Sequence, residues 1–257
     1  MATYDAILPA GGRIDPEFAK AVGLTNKALI TFEGKTILQR VIDALRASGR
    51  IRRIVVIGPP EVLELPEAQG ADIRLEPAET GPDNIYKGLA ALTSSSEKPD
   101  KVLIVNTDLP FLTPAIVETF LDNCPSDGDI CVPLVRRDEW DQKFPNMSAT
   151  FVQLKDGKWT TGCMYLMDVA AMQRIKPAID RVFENRKSRF GMARMLGPKF
   201  VAKYLLKTLT VRDVEAKIMA MLGCTGKAIL GCPPEMAYDI DFQDDYDYAV
   251  KQLGFSA

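Results

Sequence analysis

Four places in the sequence carry residue types that could act together on a phosphate chain. The apolar run DAILPA ends in Gly11-Gly12-Arg13, a polar stretch follows, and Lys27 stands at its far end. Glycines let backbone N–H groups approach an anion closely, and a nearby cation neutralises the charge they gather. Asp108 follows a second apolar run, in Asn106-Thr107-Asp108-Leu109-Pro110, and Asp239 and Asp241 form a pair within DIDFQDDY. Carboxylates are the hard oxygen ligands that magnesium takes. Each feature also has an ordinary reading. A double glycine makes a tight turn, Asp108 caps a turn ahead of Leu-Pro, the acidic run starts a helix, and a lysine sits at the surface. The glycines follow neither the Walker spacing nor G-x-G-x-x-G, so they define no nucleotide site by themselves.

The chain has no histidine. Ser-His-Asp and Cys-His catalysis and histidine-ligated zinc are therefore excluded within one chain, leaving carboxylates, lysine, backbone amides and hard metal ions. Cys124, Cys131, Cys163, Cys224 and Cys232 form no C-x-x-C pair, which favours buried thiols over a disulfide framework or a zinc site. A net charge of -2 leaves no basic surplus for binding nucleic acid through counterion release. The 257 residues, 47% hydrophobic and 26% charged, have the composition of an ordinary globular protein. No apolar run reaches membrane-spanning length, and Met1 to Asp5 lack the character of a secretory signal, so a cytoplasmic protein is expected.

The elements that must position these residues alternate in period. DAILPA, Arg52 to Gly58, Lys101 to Thr107 and Asp129 to Val135 are short runs rich in Val and Ile, the pattern of strands buried on both faces. Between the first two, Thr36 and Gln39 have capping-box spacing, Ile37, Leu38, Val41, Ile42 and Leu45 share a helical face, and Gly49 ends it. Asn84 to Leu92 and Pro114 to Leu121 read as further helices, the second capped by Thr113. The succession predicts an open, doubly wound, mostly parallel α/β sheet with helices on both faces. After Val135, ATFVQL and GCMYLM read as strands around the turn Lys155 to Lys158, followed by several helices, one of them starting at Thr210. A single domain over 1–257 is expected, with the sheet core in 1–135 and a smaller subdomain in 136–257 laid against it; the resemblance described next implies that the first is the nucleotide-binding core and the second the acceptor-side region. In open sheets of this kind ligands bind beyond the carboxyl ends of the strands, which is where the glycines and Asp108 fall.

The order ILPAGG, KALITFEGKTILQRVIDAL, VNTDLPFLTP and DIDFQDDY resembles the nucleotidyltransferases of the molybdenum-cofactor guanylyltransferase-like group, within the glycosyltransferase-A-type superfamily. The resemblance is strongest from Asp5 to Pro114 and weak from Asp138 to Gly231. It implies that Pro9, Ala10, Gly11, Gly12 and Arg13 cradle nucleotide phosphates and that Lys27 neutralises them. It implies that Gly81, Asp83 and Asn84 lie where relatives contact base and ribose. Asp108 would hold magnesium, or manganese in its place, with Asp239 or Asp241 as second ligand. Pro16 stands where relatives commonly have an arginine, in a longer loop.

The chemistry implied is in-line transfer of a nucleoside monophosphate from a nucleoside triphosphate to a small phosphorylated acceptor, releasing pyrophosphate. The alternatives are glycosyl transfer on the same fold and a non-catalytic nucleotide sensor. Asn106-Thr107-Asp108 lacks the paired aspartates usual for glycosyl transfer, and an NAD enzyme is disfavoured by the missing fingerprint. One further feature is the run PKFVAKYLLKTL, Pro198 to Leu209, where Lys199, Lys203 and Lys207 would align on one side of a helix. An ordinary solvated stripe is expected; the sharper reading, with Arg186, Lys187 and Arg189 upstream, is a basic rim for an anionic acceptor or an acidic membrane surface.

Overall fold

In this computed structural model of the protein, residues 2–185 and 188–254 are described. Strand β1, Tyr4–Pro9, buries its four central residues, which explains why the run shows no polar alternation. The chain continues through α1 (Pro16–Val22), a 3₁₀ turn at Lys27–Leu29, and the small pair β2 (Thr31–Phe32) and β3 (Lys35–Thr36) into α2 (Ile37–Ala47). Next come β4 (Ile51–Ile57), the short α3 (Pro60–Leu63), β5 (Ile73–Leu75), α4 (Gly81–Thr93), β6 (Lys101–Val105), α5 (Pro114–Asn123) and β7 (Ile130–Arg136). The later part supplies α6 (Arg137–Lys143), β8 (Val152–Leu154), β9 (Gly157–Thr161), β10 (Met164–Asp168) and α7 (Val169–Asn185). It ends with α8 (Arg189–Leu196), α9 (Pro198–Leu205), α10 (Val211–Leu222), β11 (Gly226–Ile229) and α11 (Gln243–Gln252).

The main sheet runs β5-β4-β1-β6-β10-β7-β9-β8, with β11 also on β7. Strands β5, β4, β1 and β6 are parallel, and β10 enters antiparallel between β6 and β7. One face, with Ala6, Leu8, Leu103 and Val105, packs on α2, α5 and α11. The other, with Ile7, Val55, Ile57, Val102 and Ile104, packs on α4 and α7. The fold is the open, helix-flanked α/β sheet expected from the alternating periods. Among the described residues, no helix is long and apolar enough to cross a membrane.

Several elements differ from the sequence reading. The polar stretch between Gly12 and Lys27 holds a helix, started by the Asp15 side chain accepting from Glu17 and Phe18 N–H and closed by Gly23 in the left-handed region at φ 69°. Phe18 is buried beneath it. Helix α4 begins at Gly81, earlier than Asn84, because the Thr80 hydroxyl accepts from Asp83 N–H. GCMYLM does not pair with ATFVQL. Its strand, β10, lies inside the main sheet, and the hairpin partner of Val152–Leu154 is Gly157–Thr161. Helix α9 stops at Leu205, Lys207 takes a left-handed φ of 55°, and Lys203 donates to Asp213 at 2.7 Å. The three lysines therefore form no single free stripe. Arg186 and Lys187 lie outside the described residues.

Gly88 on α4 touches the sheet directly: a Cβ there would sit 2.9 Å from Ile7 Cγ2 and 3.1 Å from Ile57 Cδ1. Gly88→Val is expected to destabilise the protein by about 1–3 kcal/mol through overpacking, read as a lower denaturation midpoint in urea. An unchanged midpoint would mean that α4 does not pack this closely.

Candidate active site

The site forms where β1 and β6 end. After Pro9 the Ala10 N–H donates to Ile57 O at 2.7 Å, so the chain stays tied to β4 for one more residue before Gly11. Asn26, 3% exposed, donates from its side chain to Ala10 O at 2.9 Å and accepts from Ala28 N–H at 2.8 Å. It thus caps the 3₁₀ turn and brings Lys27 back to the glycines. The Lys27 N–H donates to Gly12 O at 2.9 Å. Neither Gly11 nor Gly12 has a positive φ, and a Cβ would meet nothing within 4 Å at Gly11 and, at Gly12, only the Lys27 side chain, nearest at Cδ, 3.5 Å away. The free protein does not require glycine at these two positions. What a side chain would take up is space along the cavity wall.

Asp108 follows β6, and the segment from Met236 to Asp241 is stitched to it by backbone. Asn106 N–H donates to Cys163 O at 3.0 Å, Cys163 N–H to Met236 O at 2.7 Å, and Ile240 N–H to Asp108 O at 3.2 Å. The Asp245 carboxylate accepts from Asp241 N–H at 3.0 Å and Phe242 N–H at 2.9 Å, starting α11 and fixing the acidic segment. Lys27 Nζ donates to Asp108 Oδ2 at 3.0 Å and also to Asp241 Oδ1. Residues separated by 81 and 214 positions in sequence thus meet on one ammonium.

Electrostatics at this point are strained by like charge. Burial alone would lower the lysine pKa, but Asp108 and Asp241 outweigh it and hold Lys27 well above the usual lysine range. Burial raises the Asp108 carboxyl, with Asp241 adding and Lys27 opposing. Asp239 is pushed up to about 7 by burial, then by Asp108 and Asp241. Asp108 Oδ1 is buried without a hydrogen-bond partner. Among the described residues, no three His, Cys, Asp or Glu side chains close a metal cage by themselves. An orphaned carboxylate oxygen beside a second carboxylate, with no soft ligand in the set, fits magnesium, which keeps waters and takes phosphate oxygens to complete its shell.

Above this point opens a half-open cavity of about 600 Å³. Pro9, Gly11, Gly12, Arg13, Lys27, Gly81, Asn84 and Asp108 line it. Four of the sequence-selected residues, Ala10, Asp83, Asp239 and Asp241, do not. Ala10 is buried with its N–H and C=O both engaged. Asp83 lies on the first turn of α4, bonded to the Thr80 hydroxyl at 2.6 Å and near Lys176 at 3.5 Å. Asp239 contributes to the carboxylate cluster through its coupling to Asp108, without lining the cavity. Asp241 reaches the site through Lys27. The sequence reading missed Asn26 and Phe183. Asn26 had a signal, an N-capping residue directly before KAL; Phe183 comes from α7, far along the chain, and lines the cavity with the glycines.

A cavity at the carboxyl ends of parallel strands, walled by glycines and floored by Asp108 and Lys27, is the arrangement of open-sheet proteins that bind phosphate-bearing ligands. Residues 6–181 match the model of the MobA-like NTP transferase domain. The chain belongs to that family. Among solved structures it is similar to a hypothetical transferase from Thermus thermophilus, at 28% identity and TM-score 0.83 over 95% of this chain and 99% of that one. It also shares its fold with a nucleotidyl transferase from Methanothermobacter thermautotrophicus, at 17% identity and TM-score 0.58 over 97% and 99% of the two chains. A third is 2-C-methyl-D-erythritol 4-phosphate cytidylyltransferase, also from Thermus thermophilus, at 17% identity and TM-score 0.57 over 97% and 98%.

Two measurements test the site. If Asp239 is a ligand of the cation, a proton competes with it there, and magnesium is then expected to raise the melting temperature more at pH 8, above the value of about 7, than at pH 5.5, below it. Asp239→Asn should remove that pH dependence, and an equal shift at both pH values in the wild type would exclude Asp239 from the cation site. Gly11→Val should leave the melting temperature of the free protein nearly unchanged while weakening nucleoside triphosphate binding at least about tenfold, through lost approach to the cavity wall. Unchanged affinity in calorimetry would mean that the guest does not pass Gly11.

Proposed function

We propose that this protein is a magnesium-dependent nucleotidyltransferase that moves a nucleoside monophosphate from a nucleoside triphosphate to a small phosphorylated acceptor, releasing pyrophosphate. The observation that carries the reading is the meeting of Lys27 with Asp108 and Asp241 at the floor of a cavity walled by Gly11 and Gly12. One of the similar structures is named for cytidylyl transfer to 2-C-methyl-D-erythritol 4-phosphate, which agrees with a phosphorylated acceptor.

The triphosphate would lie along Gly11, Gly12 and Arg13, with its base and ribose toward Gly81, Asn84 and Phe183. Lys27, held as an ammonium, donates hydrogen bonds to phosphate oxygens as charge builds on them. An acceptor phosphate oxygen attacks the α-phosphorus in line. The bond from that phosphorus to the bridging oxygen breaks, and its electron pair leaves on pyrophosphate. A phosphate nucleophile is already an anion at neutral pH, so no general base is needed, in keeping with a chain that has no histidine. When bound by Asp108 with Asp239 or Asp241, a magnesium ion would screen the triphosphate and stabilise the leaving charge.

Four nucleoside triphosphates assayed against phosphorylated sugars and polyols, with pyrophosphate as readout, test the reaction. Lys27→Ala is expected to lower kcat/KM at least about tenfold, about 1.4 kcal/mol of transition-state stabilisation. Asp108→Ala should remove most turnover while the circular dichroism spectrum stays native. Full turnover by a folded Asp108→Ala protein without divalent cation would overturn the assignment, and nucleotide binding without pyrophosphate release would identify a sensor.

A further inference from the structure

The segment from Asn185 to Arg212 carries eight of the chain's 32 lysines and arginines and none of its 34 aspartates and glutamates. A chain of net charge -2 thus holds one strongly basic stretch, and the remainder is acidic. Most of the stretch is α8 and α9, which pack on each other. It is also apolar at its surface. Of the eight large hydrophobic side chains that are exposed among the described residues, four lie here: Phe190 (81%), Tyr204, Leu205 (72%) and Leu206 (73%).

Helix α9 brings both properties to one place. Phe200 faces the sheet and packs on Leu154, Trp159, Leu209 and Val211. One turn later the same helical face has run past the sheet: Tyr204 and Leu205, four and five positions on, are exposed. Leu206 caps the helix and Lys207 ends it at φ 55°, so the two leucines stand together at a helix end. Lys203 is paired with Asp213 at 2.7 Å, whereas Arg194, Lys199 and Lys207 are exposed. Water tolerates single exposed leucines. Consecutive leucines beside a tyrosine, among cations and without a carboxylate in the stretch, match the bilayer interface, whose anionic headgroups take the cations while the acyl boundary takes the apolar side chains. Nucleic acid would satisfy the cations and leave the leucines in water. A second copy related by a two-fold axis would set the basic segment against itself.

We propose that α8 and α9 form a docking surface for an anionic lipid bilayer. Tyr204, Leu205 and Leu206 enter the boundary between headgroups and acyl chains, and Arg194, Lys199 and Lys207 lie against the lipid phosphates. The contact is peripheral, since no described helix is long and apolar enough to cross a membrane. It does not depend on the reaction proposed at Lys27 and Asp108. Each cation near an anionic surface strengthens binding by about fivefold, so neither the charges nor the two leucines suffice alone and the attachment is reversible.

The test is sedimentation of the full chain with vesicles of phosphatidylcholine alone and of phosphatidylcholine and phosphatidylglycerol in equal parts. The protein is expected to sediment with the mixed vesicles, to stay in solution with the neutral ones, and to be released as salt is raised. Leu205→Ser combined with Leu206→Ser should lower the partition coefficient at least about tenfold, and Arg194→Gln, Lys199→Gln and Lys207→Gln about fivefold each. These side chains are exposed, so the variants should keep a native circular dichroism spectrum. In Tyr204→Trp the emission should shift to the blue on adding mixed vesicles, against the constant background of the buried Trp140 and Trp159. Partition unchanged by the double leucine variant, or no blue shift at position 204, would overturn the proposal. It would also fail if a polyuridylate strand bound and the vesicles did not, or if the leucine variant turned a dimer into a monomer in gel filtration with no vesicle binding by the wild type.

Discussion

The structure of the site depends on one ammonium shared by two carboxylates. Lys27 bonds Asp108 and Asp241, and Asp239 adds a third carboxyl within their field. Three carboxylates near one another repel, and the protein offsets this with a single buried cation and a raised Asp239 pKa. Removing one member of a buried ion pair costs about 3–5 kcal/mol in other proteins because the remaining charge stays desolvated. The segments carrying these residues are accordingly pinned by neutral backbone bonds: Lys27 through Gly12, and Asp239 through Ile240 and Cys163. The attraction sets which groups meet, and the backbone ties keep the repulsion from pushing them apart.

Under the proposed function, that balance would favour a cation-bound over a bare nucleotide. A triphosphate brought toward Asp108, Asp239 and Asp241 adds negative charge to a cluster that already has an excess of it. A divalent cation arriving with the nucleotide reverses the sign of the interaction. The orphaned Asp108 Oδ1 and the elevated Asp239 carboxyl are the two features of the free protein that such a cation would satisfy.

Much of this architecture was legible in the sequence because the relevant signals are local. Apolar runs marked β1, β4, β6 and β7, and Thr36, Thr113 and Thr210 each cap a helix in the expected way. Helix α1 carried its signals too, Asp15 as cap with Pro16 at the first helical position and Gly23 after it, but a stretch with a single large buried side chain, Phe18, gives a weak periodicity. The partners of a strand are another matter. GCMYLM reads as a strand from composition, but whether it pairs with the nearest hairpin or crosses into the main sheet depends on contacts distant in sequence. The same limit hid Phe183, which reaches the cavity only because α7 lies against α4. Gly11, Gly12, Lys27 and Asp108 were found because each sits at the end of a recognisable strand or loop. The ion pair of Lys203 was not legible in the lysine spacing because its partner, Asp213, lies on the following helix.

The antiparallel strand has a consequence that a wholly parallel sheet could not supply. Parallel strands deliver only their carboxyl ends to the site edge, so every connection there must loop away into a helix. Because β10 runs the other way, its amino end arrives at that edge, and Cys163 just before it offers both its N–H and its C=O to the loops there. The C=O takes Asn106 N–H at 3.0 Å and the N–H gives to Met236 O at 2.7 Å. One residue thereby joins the loop that carries Asp108 to the segment that carries Asp239 and Asp241.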